Sequence, residues 1–213
     1  MIILIFGDSI AHGYWDEEGG WADRVKKRVM QTDIKRDYKG YHGVFNLGID
    51  ANFTQNVVER FSSEANTRRF AGADANSDYG VIIAIGVNDA LHIGRGFQSS
   101  PERYASELEV LLEKAKGLKS RVAFVNLLPV NEGVEHRATG SDDSFYTNKR
   151  IELFNDVLEK FCKKNGLTLI DARSLFVDNY ELFSPDGVHP STKGHEAIHS
   201  LVQPILDSWL YEK

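Results

Sequence analysis

The sequence contains a single cysteine, Cys162, so no disulfide can form within the chain and no cysteine-based metal cluster can assemble. That cysteine falls in an apolar helical pattern, where a small buried thiol is the expected role. Positive charge is also in short supply. Lys and Arg number 25 against 31 Asp and Glu, a formal net charge of −6. This balance argues against nucleic acid or an anionic membrane surface as the main partner. The longest basic stretch, Lys26-Lys27-Arg28, lies in a predicted helix and reads as a solvated face. No run is long and apolar enough for a membrane span. No basic and apolar leader with a cleavage site precedes the first predicted strand at Ile2, so a cytoplasmic location is expected. Repeats and linkers are absent too. The 213 residues suit one well-filled core, expected as a single domain over 1–213.

What is present is an ordinary globular composition, 42% hydrophobic and 26% charged. Short apolar runs alternate with amphipathic ones. Ile2-Ile3-Leu4-Ile5-Phe6 ends at Gly7, Val81-Ile82-Ile83-Ala84-Ile85 ends at Gly86, and Val122-Ala123-Phe124-Val125 runs toward Pro129. Runs that are continuous rather than alternating predict strands covered on both faces, as in a parallel sheet. Val44-Phe45-Asn46-Leu47 and Leu167-Thr168-Leu169-Ile170 are weaker strand candidates.

Helical stripes fall between them: Trp21, Val25 and Val29; Val57, Phe61 and Ala65; Tyr104, Leu108, Leu111 and Ala115; Ile151, Phe154, Leu158 and Phe161; and Ile198 to Trp209. Pro101 suits a first helical position, and Gly166 a helix stop. Five βα units predict an α/β fold, a three-layer α/β/α sandwich with a five-stranded parallel sheet of the flavodoxin-like kind. Two connections, 90–100 and 129–145, are longer than such a fold needs. Both leave carboxyl ends of strands, where open α/β sheets bind ligands.

The strand ends carry the chemistry. Gly7-Asp8-Ser9-Ile10 sets a serine in an expected tight turn, although Gly-Asp-Ser is also common turn sequence. Asn46-Leu47-Gly48 could lend a backbone N–H, and Gly86-Val87-Asn88-Asp89 a side-chain amide, to a developing oxyanion. A turn glycine and a helix cap are the alternatives. Near the end stands Ser184-Pro185-Asp186-Gly187-Val188-His189-Pro190. There a carboxylate three residues before an imidazole, in a loop stiffened by prolines, can hold the ring with Nε2 toward a serine. The alternative is a rigid turn with an exposed histidine. It is the joint occurrence of these elements that points to acyl transfer.

Together these residues resemble the GDSL esterases and lipases, also called SGNH hydrolases, whose four blocks are named for a serine, a glycine, an asparagine and a histidine. Ser9 matches the first block, Gly48 within Asn46-Leu47-Gly48-Ile49-Asp50 the second, Asn88 the third, and His189 with Asp186 the last. Gly19-Gly20-Trp21 followed by Ala22-Asp23-Arg24 resembles the start of the family's first helix. There are two departures. Ile10 stands in place of leucine, and Ala51 stands where the second block usually has a further glycine. The resemblance implies a flavodoxin-like sandwich, no cofactor, and a small-molecule ester as substrate. It also implies a triad of Ser9, His189 and Asp186, with an oxyanion hole from the Ser9 and Gly48 N–H groups and the Asn88 amide. A lysophospholipase, an acyl-thioesterase and a non-catalytic binding module on the same fold are the alternatives.

The walls of the site are expected to be polar and the acyl chains short. Tyr14 and Trp15 near Ser9, and His92 and Arg95 after Asn88, are candidate substrate-binding residues. The 131–148 segment brings Glu132, Glu135, His136, Arg137, Asp142 and Asp143, relieved by Val134, Ala138, Phe145 and Tyr146. His195-Glu196-Ala197-Ile198-His199 has the spacing of a zinc-protease helix. His195 lies beside the apolar arc of the last helix, so it is read as core-edge packing and no metal is expected.

Overall fold

The computed structural model describes residues 1–68, 78–134 and 143–212. Glu135, His136, Arg137, Ala138 and Asp142 of the expected polar wall lie outside them. β1 (Ile2–Gly7) is followed by α1 (Ser9–His12), α2 (Gly20–Lys35), β2 (Gly43–Gly48), α3 (Thr54–Thr67) and β3 (Tyr79–Ala84). A 3₁₀ turn over Asn88–Ala90 leads to β4 (His92–Ile93), β5 (Gly96–Phe97) and α4 (Pro101–Gly117). Then come β6 (Arg121–Val125), β7 (Ser144–Phe145), α5 (Asn148–Asn165), β8 (Thr168–Ile170), α6 (Arg173–Phe176) and α7 (Thr192–Tyr211). Among the described residues no helix is long and apolar enough to cross a membrane.

The main sheet has five parallel strands in the order β2-β1-β3-β6-β8. This is the expected flavodoxin-like arrangement, with β1 between β2 and β3. All six residues of β1 are buried, because helices cover both of its faces. Phe6 stacks on Phe61 of α3, with centroids 4.6 Å apart. Ile3 lies an odd number of residues away and so faces the other side. There it packs beside Gly80, where a Cβ would meet both Ile3 and Trp209 of α7. α2 packs on α7, and α3, α4 and α5 pack in a row. The two weak strand candidates are the edge strands β2 and β8, which are only partly buried and need no continuous apolar run.

The helix ends follow their local chemistry. Ser100 caps α4, accepting from the Arg103 N–H at 3.2 Å, and Pro101 is its first residue. Gly166 closes α5 in the left-handed region at φ 63°.

One feature departs from the sequence reading. The connections 90–100 and 129–145 are not two independent loops. β4 pairs antiparallel with β5 and with β7, forming a second, three-stranded sheet that ties them together. Strands of two residues carry no periodicity that a sequence pattern could reveal.

Candidate active site

In-register pairing brings the strand ends to one level. Gly7 of β1 lies opposite Gly48 of β2 and Ala84 of β3. The chain beyond each of these residues therefore emerges at the same edge, where the sheet order places a crevice. β1 continues at once into α1. The Asp8 carboxylate caps it by accepting from the Ile10 N–H at 2.9 Å. Ser9 is thus the first residue of a short helix rather than part of a plain tight turn, which is a correction to the sequence reading. The change matters because the first N–H groups of a helix, that of Ser9 among them, have no intrahelical acceptor. Gly7 permits this junction, since a Cβ there would lie 2.4 Å from the Ala11 Cβ and 2.6 Å from the Ala84 oxygen.

The loop from Ser184 to Pro190 folds back on itself. Phe183 and Pro190 form an isolated bridge, and the Ser184 N–H donates to the His189 carbonyl at 2.8 Å. Inside it, Asp186 Oδ1 accepts from the Ser184 hydroxyl (2.8 Å) and from the Val188 and His189 N–H groups (2.9 and 3.0 Å). Asp186 Oδ2 lies 2.6 Å from His189 Nδ1, and His189 Nε2 lies 2.8 Å from Ser9 Oγ. Burial works to raise the Asp186 pKa. The hydrogen bonds from the His189 ring and the Val188 and His189 N–H groups outweigh it and hold the carboxylate well below its ordinary range. The pair is therefore arranged as a carboxylate holding an imidazole by Nδ1, with the other ring nitrogen on a serine hydroxyl.

Asn88 opens the 3₁₀ turn at the end of β3, and its side chain is oriented from both sides. Nδ2 donates to the Asn52 carbonyl at 2.9 Å, and Oδ1 accepts from the Tyr146 hydroxyl at 2.7 Å. An amide nitrogen carries two protons, so one remains for the crevice.

Gly48 is not placed as expected. Its N–H donates to the side chain of Asn46 at 3.0 Å, and it does not line the crevice. It is a glycine because α1 passes directly over it: a Cβ would lie 2.2 Å from the His12 nitrogen. Ala51 lines the crevice instead, in the left-handed region at φ 58°, and its N–H has no acceptor among the described residues.

The crevice holds about 300 Å³ and is lined by Ser9, His189, Asn88, Tyr14, Trp15, Tyr146, Ile10, Val87 and Val188, with the carboxylates of Asp8, Asp50 and Asp186. Burial pushes the Asp8 pKa up to about 6, against the hydrogen bond from Ile10 and the nearby His189. Tyr14 and Trp15, named from the sequence as candidates, line it. His92 and Arg95 do not reach the crevice. His92 is stacked on Phe145 at 4.3 Å in the small sheet, and Arg95 is exposed at the tip of the β4–β5 hairpin. The sequence reading assigns Asp8 and Asp50 no role as lining residues and counts Tyr146 only among the apolar and aromatic residues of the 131–148 wall, without its contact to Asn88. Asp50 is held at the rim by His12, 2.7 Å away. Tyr146 comes from a segment 58 residues beyond Asn88, and nothing in its local sequence signals the contact.

His195 is fully buried and accepts from the Trp21 N–H at 3.3 Å, whereas Glu196 next to it is exposed. Burial lowers the His195 pKa to about 4, so the ring is neutral near pH 7. Among the described residues no group of three or more His, Cys, Asp or Glu side chains is placed to hold a metal ion.

The profile of the GDSL-like lipase/acylhydrolase family matches residues 5–197. The chain is similar to the human (Homo sapiens) isoamyl acetate-hydrolyzing esterase 1 homolog, at 25% identity over 224 residues that cover 96% of this chain and 81% of that protein. The fold is similar to that of the lipase/acylhydrolase from Enterococcus faecalis (TM-score 0.73, 22% identity, covering 100% of this chain and 98% of the other). It also resembles Axe2-W215I, an acetyl xylan esterase from Geobacillus stearothermophilus (TM-score 0.68, 17% identity, 95% and 93% covered).

Proposed function

The chain belongs to the GDSL-like lipase/acylhydrolase family, and on that footing we propose that it is a serine esterase acting on small carboxylic esters through an acyl-enzyme. The observation that carries this reading is the chain of contacts from Ser9 Oγ to His189 Nε2 (2.8 Å) and from His189 Nδ1 to Asp186 Oδ2 (2.6 Å). His189 takes the Ser9 proton as the oxygen attacks the ester carbonyl, and Asp186 orients and stabilises the imidazolium. The tetrahedral oxyanion accepts hydrogen bonds from the Ser9 N–H and the free proton of Asn88 Nδ2. The third donor is the Ala51 N–H rather than that of Gly48, which Asn46 already occupies. His189 then gives its proton to the leaving alkoxide, and water attacks the acyl-enzyme by the same base.

A short acyl group is favoured by the size of the crevice. At about 300 Å³ it sits at the lower end of the usual range for small-molecule sites. Its apolar lining comes from Ile10, Ala51, Val87 and Val188 and the rings of Tyr14, Trp15 and Tyr146. A long chain would need a continuous apolar channel to gain the roughly 0.8 kcal/mol available per buried methylene. The acetate ester in the name of the human relative points the same way.

The test is kcat/KM for p-nitrophenyl esters from acetate to palmitate, each below its micellar concentration. The maximum is expected at six carbons or fewer, with no turnover by a folded Ser9→Ala protein. A maximum at ten carbons or longer would instead favour a lipase or a long-chain thioesterase.

A further inference from the structure

The loop between α1 and α2 is pinned at its base. A Cβ on Gly13 would lie 2.3 Å from the Gly19 oxygen, so the two ends of the loop meet backbone to backbone. Within it Asp16 accepts from the Gly20 N–H at 2.9 Å and from the Thr192 hydroxyl at 3.0 Å, and it pairs with Arg24. This base presents Tyr14 and Trp15 over the active-site crevice. Tyr14 lies against His189, with centroids 5.1 Å apart, and Trp15 meets Tyr14 edge-on at 4.8 Å.

Trp15 is unusual in two respects. It is a bulky residue in the left-handed region, at φ 66°, a conformation that such side chains seldom occupy without a compensating contact. It is also 64% exposed, yet its one polar side-chain atom is bonded within the protein. The indole N–H donates to Asp186 Oδ2 at 2.9 Å, across 171 residues of sequence. Oδ2 is the oxygen that faces His189. The donors to Oδ1 all come from the loop that carries Asp186 itself. Besides His189, the described donor to Oδ2 is Trp15.

We infer that Trp15 is a positioning residue for the triad, its indole N–H keeping the outer oxygen of Asp186 aimed at His189 Nδ1. This rests on the triad reading of Ser9, His189 and Asp186 given above. The physical reason is that charge builds on His189 as it takes the Ser9 proton, so the carboxylate has to be fixed beforehand. A water in place of the indole would be free to reorient, whereas an N–H held by a pinned loop is not. Trp15 also walls the crevice, and the two roles are separable by chemistry. The wall needs the ring; the positioning needs the N–H.

Replacing Trp15 with benzothienylalanine keeps the shape of the bicycle and puts sulfur in place of the N–H. The expected result with p-nitrophenyl acetate is a roughly tenfold fall in kcat with KM within twofold, the size and signature of a lost hydrogen bond to a charged group that acts in the transition state. The low-field proton resonance of the His189 Nδ1–H···Asp186 bond is expected to move downfield, because Oδ2 becomes a stronger acceptor. Trp15→Ala, which removes wall and donor together, should lower kcat and raise KM. A benzothienylalanine protein with kcat within twofold of wild type overturns the inference. Ser9→Ala measured alongside separates this from failure of the triad itself. Turnover in Ser9→Ala sinks the triad reading, whereas an inactive Ser9→Ala beside a fully active isostere sinks the Trp15 role alone.

Discussion

At the scale of single residues, the site depends on side chains held in one orientation before substrate arrives. Asn88 is the clearest case. Its amide oxygen accepts from Tyr146 and one of its N–H groups is spent on Asn52, which leaves the second N–H directed at the crevice. Asn88→Ala should lower kcat by about 10²–10³ with little change in KM, because that donor acts mainly on the oxyanion. Tyr146→Phe keeps the ring and removes the hydroxyl that donates to Asn88 Oδ1. Its kcat should fall by a smaller factor than that of Asn88→Ala, again with KM little changed. A Tyr146→Phe protein that loses as much as Asn88→Ala would mean that Tyr146 itself touches the reacting atoms; a change in KM alone would mean that Asn88 binds ground-state substrate. Tyr146 shows what a sequence withholds. It stands between β7 and α5, and the pairing of β7 with β4 brings it beside Asn88. Gly48 shows the opposite case. The block match put a glycine in the right loop, where it serves the close approach of α1 and its N–H donates to Asn46. The departure at Ala51 was the sequence signal for the residue that lines the crevice there.

At the scale of elements, the loop after β2 and the turn after β3 are joined by a buried acid. Asp89 Oδ2 accepts from the Thr54 N–H (2.9 Å) and hydroxyl (3.0 Å) at the start of α3, while its Oδ1 has no partner among the described residues. Burial raises its pKa to about 7, more than the two Thr54 hydrogen bonds lower it. The unfolded value is near 4, so the fold prefers the protonated form. The stability this contributes is fully present below about pH 4 and is lost as pH rises through about 7. Asp89→Asn keeps an acceptor for Thr54 and cannot ionise. Its melting temperature relative to wild type should therefore be higher at pH 8 than at pH 5. A difference that does not vary with pH would show that Asp89 does not titrate in this range. The elements themselves were legible where burial is two-sided: β1 and β3 are continuous apolar runs, and the five long helices carry their stripes. The short elements were not. α1 is four residues long and is set by the Asp8 cap and the Gly13 stop, not by periodicity.

At the scale of the whole molecule, the sheet order turns distant motifs into one site. Residue 9 follows the second strand from one edge, and residues 186–189 precede the last helix, which packs back over β1 and β3. The order of the βα units and the positions of the turn residues make this convergence readable in the sequence, since parallel strands with helical crossovers leave few topologies open. The lining of the crevice was less readable, because it is set by which loop side chains the small sheet draws in or turns away. His92 and Arg95 were turned away; Asp50 and Tyr146 were drawn in. The central claim is that this convergence makes Ser9, and no other serine, a nucleophile. Labelling with a fluorophosphonate, followed by intact-mass and peptide mass spectrometry, tests it directly. The account predicts one adduct per chain, on the peptide bearing Ser9, formed in step with loss of esterase activity, absent from Ser9→Ala and greatly slowed in His189→Ala. An adduct on a different serine, or an enzyme that keeps turning over ester without taking the label, would contradict it.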